Sequence, residues 1–267
     1  MSPAQPEDDL MAAAESGPLS ADDLAQYART GWVARRRFFS PEETAEISQW
    51  TDQLVDMPEV AGRHMVYYED SLAAPGKRVM QRIENFCPYH PGFDGLVRSG
   101  RLFAAVEQLL HAPAVLFKEK INFKKAGGDG FEPHQDQQAG WSSYAPLFLT
   151  ALVSIDRATP QNGCLELPNA PRVSGMIGEE WSPLTPEQIA GQQLAPVPCQ
   201  PGDVLFFDSN VPHASKANLT DSQRRILYLT YNRMDAGDHR SRYYAEKRAH
   251  FPPDVERTPG KVYKFKV

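Results

Sequence analysis

A mainly β fold with helices laid on one face is what this sequence predicts, on three observations. After Pro113 the apolar pattern changes from helical to alternating, and the segments 115–124, 147–156, 163–167, 203–209 and 224–233 read as strands. Turn chemistry separates them: Gly127-Gly128-Asp129-Gly130, Pro160-Gln161-Asn162-Gly163 and Pro201-Gly202-Asp203 supply positive φ and preset bends. Before Pro113 the apolar residues recur at helical spacing. Many short strands with regular breaks imply a closed or sandwiched sheet architecture with the N-terminal helices packed on it. No Gly/Ser-rich linker divides the 267 residues, so one domain is expected.

In chain order, residues 1–18 are acidic, rich in Ala and Pro and aperiodic, and are expected to be a mobile tail preceding a domain at 19–267. Structure is expected to begin at Ser20. Ser20 with Asp23 has the form of a capping box and opens a helix to about Thr30, which Gly31 stops. A strand is expected over 32–39. Ser40-Pro41-Glu42-Glu43 is a stronger helix start, because Ser40 caps, Pro41 sits where a missing N–H costs nothing, and Glu43 can reach back. That helix should run to about Leu54. Another spans 100–111, ended by Pro113. Residues 173–196 interrupt the strand series with polar residues and Trp181, as a lid or a surface excursion.

Charge and cysteine usage exclude several classes. With 28 basic against 34 acidic residues the formal net charge is −6, so no bulk basic field is present to hold nucleic acid or an anionic membrane. Cys87, Cys164 and Cys199 are odd in number and lack metal-type spacing, which fits a reducing cytoplasm. Six acidic residues precede the first basic one, Arg29, without an apolar run, unlike a secretory signal peptide. The longest apolar stretch, 147–155, is too short to span a bilayer. The partner expected is a small molecule.

The segment FEPHQDQQAGW places His134 and Asp136 two residues apart, which in a strand puts both side chains on one face, where they can share an ion. Alone, His-x-Asp is a weak signal. Downstream, the Pro201-Gly202-Asp203 turn and the apolar strand after it deliver His213 at the next turn. Two histidines and one carboxylate form a facial triad with open positions, which suits non-haem Fe(II), whereas a structural zinc site would be closed by four ligands. His64, His90, His111, His239 and His250 stand beside charged, Pro or helix-end residues and are expected at the surface or in caps.

Alternation in 224–233 puts Arg224, Ile226, Tyr228, Thr230 and Asn232 on one face and Arg225, Leu227, Leu229, Tyr231 and Arg233 on the other. The first row is the more polar and is expected inside, which makes Arg224 the candidate clamp for a buried carboxylate; Arg225 is expected at the surface. In 115–124 the polar row is Leu116, Lys118, Lys120, Asn122 and Lys124, opposite Val115, Phe117, Glu119, Ile121 and Phe123. Because this strand leads into the His134 turn, Lys118, Lys120 and Asn122 are candidates to line a cavity.

Taken together, these residues resemble the phytanoyl-CoA dioxygenase family of Fe(II)/2-oxoglutarate oxygenases. The likeness runs from about Ser20 and includes GWVARRRFFSPEE, HQD, NGCLELPNAP, PGDVLFFDSNVPHAS and Arg224 eleven residues past His213. Asn169-Ala170 departs from the Gly-Ser-His turn of many relatives. The resemblance implies a double-stranded β-helix (cupin-like jelly roll), iron held by His134, Asp136 and His213, and the distal carboxylate of the cosubstrate 2-oxoglutarate on Arg224, with Asn122 and Lys118 also at the cosubstrate and O2 consumed. RIENF, the 118–141 segment and the tail FPPDVERTPGKVYKFKV look most like the branch that hydroxylates 2-aminoethylphosphonate and its N-methylated relatives in phosphonate catabolism. Under that reading Lys118, Lys120 and Arg82 meet a phosphonate, and Trp141 with Tyr144 or Tyr67 forms an aromatic wall for a cationic nitrogen. The competing readings are a hydroxylase of a betaine- or ectoine-like substrate, a non-oxygenase cupin-like metal protein, and a scaffold without activity. An iron halogenase of this fold would have a small residue in place of Asp136.

Overall fold

The computed structural model describes residues 17–263. Helix α1 (Ala21–Thr30) opens on the expected box, Ser20 Oγ accepting from the Asp23 N–H and Asp23 accepting from the Ser20 N–H at 2.9 Å; it ends at Gly31, φ 79°. Leu19 is buried, and its N–H and C=O both pair with the Gln108 amide at 3.0 Å. The rest of the tail expected over 1–18 lies, up to residue 16, outside the described residues. Strand β1 (Trp32–Arg35) is shorter than the 32–39 expected, because the chain turns at Arg37 (φ 51°). Helix α2 (Pro41–Val55) carries the Ser40/Glu43 box.

The hairpin of β2 (Met65–Asp70) and β3 (Arg78–Glu84) and helix α3 (Pro91–Arg98) were not anticipated. Helix α4 (Gly100–Leu110) matches its expected bounds, with His111 as a left-handed C-cap. Then come β4 (Ala114–Lys124), β5 (Phe131–His134), β6 (Leu149–Ser154), β7 (Leu165–Pro168), the one-turn α5 (Pro186–Ile189), β8 (Leu194–Pro196), β9 (Val204–Asp208), β10 (His213–Ser215), β11 (Arg224–Arg233) and helix α6 (Arg240–His250).

All pairings are antiparallel, in two sheets, ordered β1-β9-β6-β11-β4-β3-β2 and β5-β10-β7-β8. The two sheets make the double-stranded β-helix. Helices α1 to α4 cover the outer face of the larger sheet, where Leu24, Ile47, Phe93 and Val106 pack with Ile121, Leu227, Leu229 and Phe206. Between the sheets a smaller cluster joins Leu152, Phe207 and Ile226 to Leu165, Leu167 and Val211.

The β11 alternation holds: Leu227, Leu229 and Tyr231 face the helices, Ile226 and Tyr228 the interior. Arg225, expected at the surface, is instead buried on the helix side. It donates to Asp156 at 2.8 and 2.9 Å, to Asp52 at 2.7 Å and to Ser48 Oγ at 2.9 Å. In β4 the expected alternation fails at one point. Thr230 pairs with Lys118 but Tyr231 with Leu116, so Phe117 is an extra residue, and the bulge reverses the faces beyond it. Leu116 consequently joins the helix-side core, while Phe117 turns inward against Trp141 and Phe148. His90 caps α3 and His111 ends α4, as expected of capping histidines, but His64 is 1% exposed and not at the surface. The cysteines are all buried and unbridged. Among the described residues no helix is long and apolar enough to cross a membrane.

Candidate metal centre and its cavity

β5 and β10 are neighbours in the smaller sheet, and the register sets His213 directly opposite His134. The two rings lie 4.3 Å apart by centroid. Asp136 follows where β5 breaks into a 3₁₀ turn at Asp136–Ala139. One donor atom from each of His134, Asp136 and His213 falls within 4.8 Å of the others, a spacing that one cation can fill.

The tautomers are fixed by the backbone. His134 Nδ1 lies 2.7 Å from Glu132 O and His213 Nδ1 lies 2.9 Å from Val211 O. A carbonyl can only accept, so each Nδ1 carries the proton and donates, leaving each Nε2 lone pair for a metal. Burial, followed by the charge of His213, holds His134 down to about 3, so it is neutral. For Asp136 burial acts upward but is outweighed by His213, Lys120, Lys118 and His134, which keep the carboxyl below its usual range and ionised. Two imidazoles presenting Nε2 and one carboxylate are the donor set that a hard-to-borderline divalent ion needs.

The triad sits on the wall of a cavity of about 710 Å³ between the sheets. The larger sheet contributes Lys118, Lys120, Asn122 and Tyr228, from the two rows that the alternation put inward, and Arg82 from the unanticipated β3. Lys120 is lowered to about 7, by burial first and then by the charge of Lys118. Burial likewise lowers Lys118, against the opposing pull of Glu84 and Asp136. Arg82 pairs with Glu84 at 2.8 Å and stands 4.6 Å over the Tyr67 ring.

Arg224 is 1% exposed and faces inward, opposite Lys124 in the register. Its Nε, Nη1 and Nη2 are buried without a hydrogen bond, although Tyr228 lies near enough to feel its charge. Asn122 Oδ1, two positions along the neighbouring strand, is similarly unpartnered. A buried guanidinium without a protein anion fits a carboxylate ligand, so the residues present suit a dicarboxylate cosubstrate.

Two aromatic expectations change. Trp141 lines the cavity, but it is 1% exposed, packs edge-on against Phe117 and Phe148, and its ring face already receives Lys118 Nζ at 4.5 Å. Tyr67 is not among the lining residues. It stacks on Phe251 at 5.5 Å, and its hydroxyl donates to Phe251 O at 2.9 Å. Tyr144 does line the cavity.

Sequence reasoning missed the contribution of α6, whose Tyr243, Glu246, Lys247 and His250 reach the cavity. Their spacing at i, i+3, i+4 and i+7 is a helical face and was the available signal. A buried pair of Arg240 with Glu119 fastens the helix to β4, and Lys247 donates to Glu84 at 2.6 and 2.8 Å. The 173–196 segment is tied to the metal turn. Gln138 Nε2 donates to Glu179 O at 2.7 Å and Ser182 O at 2.8 Å, and Gln135 Nε2 to Gly175 O at 3.0 Å. Trp181 thereby lies over Gly140, where a Cβ would come within 2.5 Å of the indole, and lines the cavity.

A family model described as Phytanoyl-CoA dioxygenase (PhyH) matches residues 27–226. The 2-aminoethylphosphonate dioxygenase of the uncultured bacterium HF130_AEPn_1 is 37% identical over 251 residues, covering 92% of this chain and 94% of that protein. The methylphosphonate hydroxylase of Gimesia maris is 34% identical over 248 residues, covering 92% and 93%. Among solved structures, EctD from S. alaskensis with 2-oxoglutarate and 5-hydroxyectoine is similar in fold, with a TM-score of 0.69 at 22% identity over 83% of this chain and 78% of that one.

Proposed function

The chain belongs to the phytanoyl-CoA dioxygenase family and is a non-haem Fe(II)/2-oxoglutarate-dependent dioxygenase, and we propose that it hydroxylates the carbon beside phosphorus in 2-aminoethylphosphonate or an N-methylated form of it. The observation that carries the substrate reading is the charge of the cavity. Arg82, Lys118, Lys120, Lys247 and Lys261 line it, Arg82 and Lys247 sharing the buried Glu84 behind them, against two carboxylates on the wall among the described residues, Asp136 and Glu246. A cavity with that excess favours a dianionic head group with several acceptor oxygens. Identities of 37% and 34% to enzymes named for phosphonates support the same choice.

In this reading His134 Nε2, Asp136 and His213 Nε2 hold the iron, and Arg224 takes the distal carboxylate of 2-oxoglutarate, with Asn122 and Lys118 beside it. Iron with 2-oxoglutarate and O2 supplies the oxidising power for C–H hydroxylation, with succinate and CO2 as coproducts. The protein's own work is positioning. The Nδ1–H donations to Glu132 and Val211 fix the imidazole planes. Lys120 and Arg82 orient the phosphonate, and Tyr144, Trp141, Trp181 and Tyr263 give the cavity an aromatic lining.

The test is succinate formation and product mass over a panel of aminoethylphosphonates, betaines, ectoine and acyl-CoA thioesters, with the new oxygen located by phosphorus and proton NMR. Coupled turnover of an aminoethylphosphonate is expected. Turnover confined to a carboxylate or a thioester would overturn the substrate and leave the dioxygenase standing.

A further inference from the structure

We infer that Glu246 is the specificity-determining residue that reads the cationic end of the substrate, selecting phosphonates that carry an ammonium over those that do not. This rests on the phosphonate reading above. Of the two carboxylates on the cavity wall among the described residues, Asp136 is committed to the metal triad, so Glu246 is the acidic group left to face a ligand. A zwitterion needs one such group, because a cavity lined by cations alone would repel its ammonium end.

The carboxylate is held ready. Its Oε2 accepts from the Tyr144 hydroxyl and its Oε1 from Arg242 Nε at 2.8 Å. These contacts, the tyrosine first, keep Glu246 below the usual carboxylate range and charged. A carboxylate offers about four acceptor positions, so two remain for an incoming N–H or cationic group. Arg242 and Glu246 are 53% and 42% exposed, so water screens the charge of this pair, and Glu246 reaches the cavity from its rim. The adjacent Lys247 does not neutralise it, since its Nζ is turned onto Glu84.

Glu246 is linked to the cationic wall through the tyrosines that line the cavity between them. Contacts run from Lys118 Nζ to the Tyr243 hydroxyl at 3.4 Å, from the Tyr243 ring to the Tyr144 ring at 6.0 Å between centroids, and from the Tyr144 hydroxyl to Glu246. Glu246 is thus joined to the lysine-bearing wall of the cavity through two tyrosine rings whose faces can contact a methylene chain or N-methyl groups.

The test compares steady-state kinetics of the iron-loaded wild type, E246Q and Y144F on 2-aminoethylphosphonate and on ethylphosphonate, which keeps the phosphonate and carbon chain but lacks the nitrogen. E246Q retains shape and an acceptor for Tyr144 while losing the charge. The expected result is a loss of at least tenfold in kcat/KM for 2-aminoethylphosphonate, mostly in KM, with ethylphosphonate changed by less than threefold. Y144F, which keeps the charge, should preserve most of the preference. Equal losses on both substrates in E246Q, or no loss on either, would overturn the assignment. A wild type that turns over neither phosphonate would instead overturn the substrate reading on which it rests.

Discussion

Arg224 and Arg225 are neighbours in the chain whose side chains leave opposite faces of β11. Arg225 lies under α2, donating to Asp52, Asp156 and Ser48, while all three guanidinium nitrogens of Arg224 are enclosed on the cavity side without a hydrogen bond. Arg225 is satisfied within the protein, and it is Arg224 for which we propose a ligand.

Arg225→Ala should therefore lower the unfolding free energy by about 2–3 kcal/mol, the scale of losing charged hydrogen bonds and leaving a partly buried acceptor unmet, with little change in cosubstrate affinity. Arg224→Ala should do the reverse: near wild-type stability and an apparent KM for 2-oxoglutarate raised by at least tenfold. Urea denaturation and succinate-coupled kinetics on the two variants separate the cases. A large stability loss in the Arg224 variant alone would mean that its charge is compensated within the protein.

Removing any one of His134, Asp136 or His213 should weaken Fe(II) binding by more than the roughly 10–100-fold that follows disturbance of a supporting partner, with the fold retained. Anaerobic Fe(II) and 2-oxoglutarate should give a visible charge-transfer band in the wild type and none in His134→Ala, Asp136→Ala or His213→Ala. Circular dichroism checks the fold. Near wild-type turnover in Asp136→Ala would remove that residue from the triad.

Lys120, held at about 7 by burial and by Lys118, is largely neutral at pH 8 in the free enzyme. A phosphonate dianion arriving beside it favours the charged form and raises its pKa, so binding at pH 8 should take up close to one proton. Affinity should accordingly fall as pH rises above 7 and level off below it. Calorimetric titration in buffers of different ionisation enthalpy measures the uptake. The same uptake in Lys120→Met would assign it elsewhere.

Gln138→Leu keeps the side-chain volume but deprives Glu179 O and Ser182 O of their donor and the Gln135 N–H of its acceptor. The expected cost is about 1–3 kcal/mol. Hydrogen exchange should accelerate selectively over 175–184 and the Trp181 fluorescence should shift towards that of a wetted indole. Protection unchanged in that segment would show that other contacts hold it.

What the sequence made legible was local or periodic. Ser20 and Ser40 announce their helices because a capping box is complete within four residues, and Arg224 was placed inward because strand alternation is set by the pleat. The β2–β3 hairpin was opaque: MVYYED and RVMQRIE carry charged residues whose burial depends on partners far along the chain, such as Glu84 with Lys247. Helix α6 was hidden for the same reason. RSRYYAEKRAH reads as a polar surface helix until Glu119 and Glu84 are seen to receive Arg240 and Lys247. Arg225 was misplaced because nothing local distinguishes an arginine that has found two aspartates from one in water.

The extra residue at Phe117 divides one strand into two independent instruments. On its N-terminal side the inward position is Phe117, committed with Trp141 and Phe148 to the framework; on its C-terminal side the inward positions are Lys118, Lys120 and Asn122, which line the cavity. Because the phase resets between them, selection can rewrite the second set without disturbing the first, although the two are adjacent in the chain. Randomising 118, 120 and 122 while holding 117 fixed should therefore yield a library rich in folded members with altered ligand choice, whereas deleting residue 117 would leave Leu116 outward and Lys118 inward in an unbroken ladder and remove only the ring that packs on Trp141 and Phe148.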